Sequence, residues 1–221
     1  MNASAGHGAS VRIEACGKTF IDGTRALEPA TLAVTLAVGV PAAYALHVRG
    51  GRLSRIVEEI ITLPLAIPGL AIALALLLTY QGFSDFRRSW LFILTGHVIF
   101  TMPFMVRSVM AVFATVDIKT LDEGAASLGA SPWRRFRDVI VPNAVPGILA
   151  GSLMVVTLSL GEFNLTWMLH TPLTKTLPIG LADSYASMRL EVASAYTLIF
   201  FVMIIPLLVA MQFFAEKEQK R

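Results

Sequence analysis

Glu162 is the only Asp, Glu, Lys or Arg in the stretch from 143 to 174. A carboxylate set in such apolar sequence needs either partners or a functional reason, because burying an unpaired charge is costly. Asn164 and Thr166 are the nearest polar side chains that could share its site. Other chemistry is thin. His7, His47, His97 and His170 are scattered and lack metalloprotease spacing. His97 is expected to hydrogen-bond between helices rather than to bind a ligand. Cys16 is the only cysteine, which rules out an internal disulfide or a cysteine-cluster metal site. Gly17-Lys18-Thr19 resembles the end of a phosphate-binding loop, but that loop needs a glycine at position 12, where Arg12 stands. No Ser/His/Asp triad or carboxylate pair stands out. The pattern points away from an ATPase, a hydrolase and a metalloenzyme, and no cofactor is expected.

The elements that must position Glu162 are apolar. Of 221 residues, 55% are hydrophobic and 15% charged, against roughly 25% charged in soluble domains. Charge-free runs cover 29–48, 60–84, 89–106, 143–161, 163–174 and 192–215. About 20 apolar residues in an α-helix cross the hydrocarbon of a bilayer, and a chain this short cannot wrap so many apolar helices in polar layers. We therefore expect an all-α membrane protein with about five transmembrane helices, near 30–48, 60–80, 90–112, 144–169 and 192–214. Glu162 then falls inside the fourth span, where a carboxylate costs ~3 kcal/mol or more and marks a functional candidate. Net charge is +3, and its basic residues lie in loops between spans, so membrane topology accounts for them and no nucleic-acid partner is expected.

Lysines and arginines set the orientation. Arg49, Arg52, Arg55, Arg107, Lys119, Arg134, Arg135, Arg137, Lys217, Lys220 and Arg221 fall on one side, and Arg87, Arg88, Lys175 and Arg189 on the other. The richer side is expected to be cytoplasmic. Five spans with a cytoplasmic tail put the N-terminus outside, with Arg12, Lys18 and Arg25, which weakens the bias. Residues 1–30 carry no apolar core of a secretory signal.

The segment from Asp117 to Pro142 reads as a helix–turn–helix. Residues 118–128 hold good helix formers, with Leu121, Ala125 and Leu128 at apolar positions. Gly129 suits the left-handed residue that ends a helix. Ser131 can cap the next helix and Pro132 fits its first turn. Trp133, Phe136 and Ile140 then recur at helical spacing. An apolar stripe beside a basic one describes a docking element or an interfacial segment.

This loop resembles the signature of permeases from binding-protein-dependent ABC importers: EAA, three residues, glycine, nine residues, then I-x-L-P. Here Glu123, Gly124 and Ala125 precede Gly129, and Val139-Ile140-Val141-Pro142 closes the motif with matching spacing. Gly124 replaces the first alanine, and valines replace isoleucine and leucine. TLPLAIPGLAIALALL at 62–77 and SLGEFNLTWML at 159–169 are also similar to this family, the latter to its sulfate, molybdate, iron and polyamine branches. The resemblance covers about 31–215 and implies a MetI-like permease core in a bacterial inner membrane. It implies an ABC ATPase dimer that hydrolyses ATP as a separate subunit, a second permease subunit and a periplasmic substrate-binding protein. Glu123, Gly124, Ala125, Gly129, Trp133, Phe136 and Pro142 would serve ATPase coupling, although Trp133 and Phe136 could equally pack on the permease's own helices. Glu162 and Asn164 are candidates for the substrate pathway or its edge. Asp183 and Glu191 are expected on the outer face, where a binding protein would dock. The branches imply a small polar solute (a polyamine, an aminophosphonate, thiamine or an oxyanion), and Glu162 favours an amine-bearing one, polyamine-like by preference.

Three segments follow: an atypical 1–29, a transmembrane permease domain over 30–215, and a cytoplasmic tail at 216–221. Residues 11–29 are similar to the opening strands of an ABC ATPase, with Phe20 at the adenine-stacking position; an ordinary variable tail is the other reading. The usual first span of this branch is expected to be missing. Two rival readings are therefore a truncated, inactive permease remnant and a membrane-embedded enzyme or assembly factor with a fortuitous loop.

Overall fold

The computed structural model describes the backbone of residues 13–172 and 174–219. Among these residues every regular element is helical. In chain order they are α1 (Ile13–Arg49), α2 (Gly51–Thr62, running on into a tighter turn at Leu63–Ala66), α3 (Gly69–Thr79), α4 (Ser84–Arg88), α5 (Trp90–Thr115), α6 (Ile118–Ser127), α7 (Pro132–Gly161), α8 (Asn164–Leu169), α9 (Leu177–Ala186) and α10 (Leu190–Gln219). Among the described residues, four helical stretches are long and apolar enough to cross a membrane: Pro29–Arg49, Trp90–Thr115, Pro132–Gly161 and Leu190–Ala210. The bent pair Gly51–Ala66 and Gly69–Thr79 makes a fifth.

Three sequence expectations need correction. The second span is not one helix over 60–80. Pro64 and Pro68 each remove a donor, and the path turns through 110° between α2 and α3. The fourth span is not 144–169. It begins at Pro132, inside the expected loop, and stops at Gly161, where Glu162 takes an extended conformation (φ −75°, ψ 110°). Glu162 thus stands at a break between helices, not in the middle of one. Finally, the described residues near the start form no strand. From Ile13 the backbone is helical and continues across residue 29 to Arg49, while residues 1–12 lie outside the described residues.

The core is a three-helix packing of α1, α5 and α7. Its register can be followed contact by contact. Gly39 lies against Met105 and the His47 ring sits 5.5 Å from Phe113, so α1 and α5 run parallel. Gly147 meets Ser108, Gly151 meets Met105 and Ser159 meets His97, so α7 runs antiparallel to α5. Lipid tails are as apolar as leucine, and close packing therefore matters more here than water exclusion. A Cβ built on Gly147 would lie 2.6 Å from the Ser108 carbonyl oxygen; only glycine allows this approach. Gly147 and Gly151 form a GxxxG pair, a signal present in the sequence and overlooked there.

Around this core, α3 packs on α8 and the start of α5, and α10 packs on α7 and α9. Much of the described part of α10 is left exposed. Leu198, Val202 and Phe213 are 67%, 73% and 75% exposed, a degree of apolar exposure suited to lipid or a membrane-embedded neighbour rather than to water.

Candidate functional site

The loop at one end of the bundle is built as its residues dictate. The Asp117 carboxylate accepts from the Thr120 backbone N–H at 3.1 Å and from the Thr120 hydroxyl at 2.6 Å. These two bonds, the hydroxyl's first, hold Asp117 below the usual carboxylate range. α6 ends on Gly129 at φ +81°, the left-handed residue expected. The Ser131 hydroxyl then accepts from Arg134 N–H at 3.4 Å with Pro132 in the first turn, also as expected. From Arg135 to Ile140 the helix widens to a π-helical turn before α7 continues as the span. Such wide turns are frequent at functional sites because they re-aim side chains.

The loop has a buried base and an exposed tip. Ile118 and Ile140 are fully buried in the core beside Phe113. Leu128 is 90% and Trp133 67% exposed. Glu123, Gly124, Gly129 and Pro142 are exposed and Ala125 half-buried. The two aromatics divide. Phe136 is half-buried, 5.6 Å from the Tyr44 ring of α1, whereas Trp133 stacks on it from outside at 6.0 Å. Sequence reasoning missed the residue that organises this base. Asp122, 5% exposed, accepts from Tyr44 Oη at 2.8 Å and from Arg135 Nη1 at 2.8 Å. Arg135 could have been paired with it as an opposite charge across the turn. Nothing in the sequence connects position 44 to position 122.

The second cluster lies further along the bundle, where two helix breaks meet. Glu162 Oε1 accepts from Leu165 N–H at 2.8 Å, capping α8. The same oxygen would lie 2.9 Å from a Cβ on Gly69, the first residue of α3. The carboxylate therefore sits between the elbow of the second span and the end of the fourth. Asn164 follows in the first turn of α8, exposed. His97 is buried behind them and bridges three elements: Nδ1 lies 2.8 Å from Ser159 Oγ on α7, and Nε2 lies 2.8 Å from Thr166 Oγ1 on α8. Thr166 donates its single hydroxyl proton to the Glu162 carbonyl at 3.2 Å. It must then accept from Nε2–H, which leaves Nδ1 to accept from Ser159. His97 is thus the interhelical bonding residue the sequence suggested, with every polar atom used. Near the far end of α7, Gly161, Phe163, Pro178, Tyr185 and Phe200 line an open apolar cleft of about 470 Å³. Asp183 pairs with Lys175 at the same end. Glu191 lies in the first turn of α10.

Comparison with known proteins agrees with this architecture. The family described as "Binding-protein-dependent transport system inner membrane component" matches residues 36–220. A Salmonella typhimurium permease named for 2-aminoethylphosphonate transport is 31% identical over 147 residues, covering 66% of this chain and 55% of its own length. The molybdenum transport system permease protein of Escherichia coli K12 is 30% identical over 141 residues, 57% of this chain and 61% of that one. Its Azotobacter vinelandii counterpart is 26% identical over 190 residues, 79% and 83%. The chain thus spans little more than half the length of the aminoethylphosphonate relative. Among solved structures, the inward-facing MetNI methionine ABC transporter superposes with a TM-score of 0.72 at 18% identity, covering 90% of this chain and 95% of that one. At that identity the likeness is one of fold. With most of its length matched by the family's pattern, and with the helical membrane fold and signature loop in place, the chain belongs to the family of binding-protein-dependent transport system inner membrane components.

Proposed function

We propose that this chain is a membrane-spanning subunit of an ATP-driven importer in a bacterial inner membrane. It works with a separate ABC ATPase dimer, a second permease subunit and an external substrate-binding protein. The observation that carries the proposal is the loop: an exposed tip of Glu123, Leu128 and Trp133 mounted on a buried base. A firm base with an apolar, charged tip suits a docking knob, and aromatic anchors dominate such contacts. Glu123 offers charge to a basic groove. Gly124, beside which a Cβ would meet nothing within 4 Å, leaves room for the partner's backbone. Gly129, Phe136 and Pro142 shape the knob, and ATP hydrolysis stays with the partner.

The solute is small and polar and passes beside Glu162 and Asn164, where two spans break at one place. Helices broken within a membrane commonly form substrate sites. The carboxylate favours a solute carrying an amine, as a polyamine does. The relatives named for 2-aminoethylphosphonate and molybdenum transport add an oxyanion. An aminophosphonate meets both conditions, and it is the reading we favour.

Glu123→Lys is expected to weaken co-purification of the ATPase and to abolish uptake, because like charges set together at an interface are strongly unfavourable. The membrane level of the chain should stay at that of the parent. Parental co-purification by the mutant would remove Glu123 from the docking surface. Orientation is checked separately. Reporters inserted in the 130–132 turn and after Arg221 should both read cytoplasmic, and a periplasmic signal from the turn would end the ATPase reading.

A further inference from the structure

We propose that Asp122 is a positioning residue for coupling: its carboxylate ties the loop to α1 through Tyr44 and to α7 through Arg135, so that the loop and both helices move as one body. The proposal rests on the reading that the loop receives force from an ATPase, and it assigns the residue that passes the force on. Glu123 faces outward, whereas Asp122, one position earlier, faces inward and is buried. Its two oxygens serve different helices. Oδ1 accepts from the Tyr44 hydroxyl at 2.8 Å, and Oδ2 pairs with Arg135 Nη1 at 2.8 Å. The Asp122 side chain is 8% exposed and that of Arg135 20%, so water and salt screen the pair far less than a surface bridge. The π-helical turn that starts at Arg135 brings the guanidinium and Phe136 to this place, and Phe136 covers Tyr44.

The consequence is mechanical. α6 joins its neighbours in sequence through Val116–Asp117 on one side and the Gly129–Ala130 turn on the other. Along the chain α1 reaches it through α2 to α5, a long way round, and the Tyr44 bond, with Phe136 packed on the Tyr44 ring, joins the two directly. α1 then runs parallel to α5 through the core, with Gly39 against Met105, so a displaced loop carries the bundle with it. Without the bond, the loop could shift against α1 and its motion would be lost as local slack.

The two arms can be separated by experiment. In the 221-residue chain with Cys16→Ser, spin labels at Arg49→Cys and Leu128→Cys report the α1–loop distance. Labels at Leu128→Cys and Asn143→Cys report the loop–α7 distance. Reconstituted in lipid nanodiscs, the parent should give a narrow distribution for both pairs. Tyr44→Phe should at least double the width of the first and leave the second unchanged, because a buried bond to a charged group biases an equilibrium about tenfold. Asp122→Asn should widen both; if it does not fold, Tyr44→Phe still decides. In Tyr44→Phe, a first distribution as narrow as the parent's, or equal widening of both pairs, would overturn the proposal. A merely stabilising contact would not discriminate between the pairs. Uptake of 2-aminoethylphosphonate is read in parallel on unlabelled chains. A parent that neither imports it nor retains an ATPase counts against the transport reading, while the distances still judge Asp122.

Discussion

Replacing Gly147 with valine is expected to remove most of the correctly folded chain from the membrane. A Cβ at 147 would stand 2.6 Å from the Ser108 carbonyl oxygen and 3.0 Å from the Val109 Cα. Both are backbone atoms of α5, so no rotamer change relieves the overlap, and α5 and α7 must separate. Overpacking usually costs about 1–3 kcal/mol. Here the whole α5–α7 crossing loosens, which places the cost at or above roughly 3 kcal/mol. Gly39→Ala is the control. Its Cβ would meet Met105 Cγ at 2.9 Å and Met102 Sδ at 3.3 Å, flexible side chains that can move aside, so a cost below about 1 kcal/mol is expected. Thermal unfolding in detergent, followed by size-exclusion chromatography, checks both. A valine variant that stays monodisperse and melts with the parent would mean the helices do not cross at Gly147.

Glu162→Leu is expected to reduce uptake by on the order of a hundredfold, through loss of a charge-assisted cap on α8 together with the carboxylate facing the α3 elbow. Glu162→Gln separates the two roles. Its amide oxygen can still accept from Leu165 N–H, now at 2.8 Å from Oε1, so the glutamine variant should melt close to the parent. Its uptake should nevertheless fall by about tenfold or more, since the charge offered to the solute is gone. Uptake of 2-aminoethylphosphonate and melting temperature, measured on both variants, distinguish the roles. A glutamine variant with full uptake would reduce Glu162 to a capping residue and move the solute path elsewhere.

The sequence by itself determined the helical membrane class, the places of three of the five spans and the local form of the loop. These are properties of contiguous residues: charge-free runs of spanning length, a glycine able to take φ +81°, a serine and a proline at a helix start. The GxxxG pair at Gly147 and Gly151 was equally local and could have been read. Tertiary structure decided the rest. Apolar patterning counts residues without saying whether a proline-containing run such as 62–68 bends, so the 110° elbow was invisible until α3 had α8 to pack on. Glu162 looked mid-span because Phe163–Leu169 is as apolar as a helix interior; its capping bond to Leu165 shows that the chain breaks there instead. Asp122 stood beside the motif's glutamate without distinction, because its partner Tyr44 is 78 positions away. Only the parallel packing of α1 on α5 brings that hydroxyl to the loop, and a contact created by packing leaves no periodicity in the residues that make it.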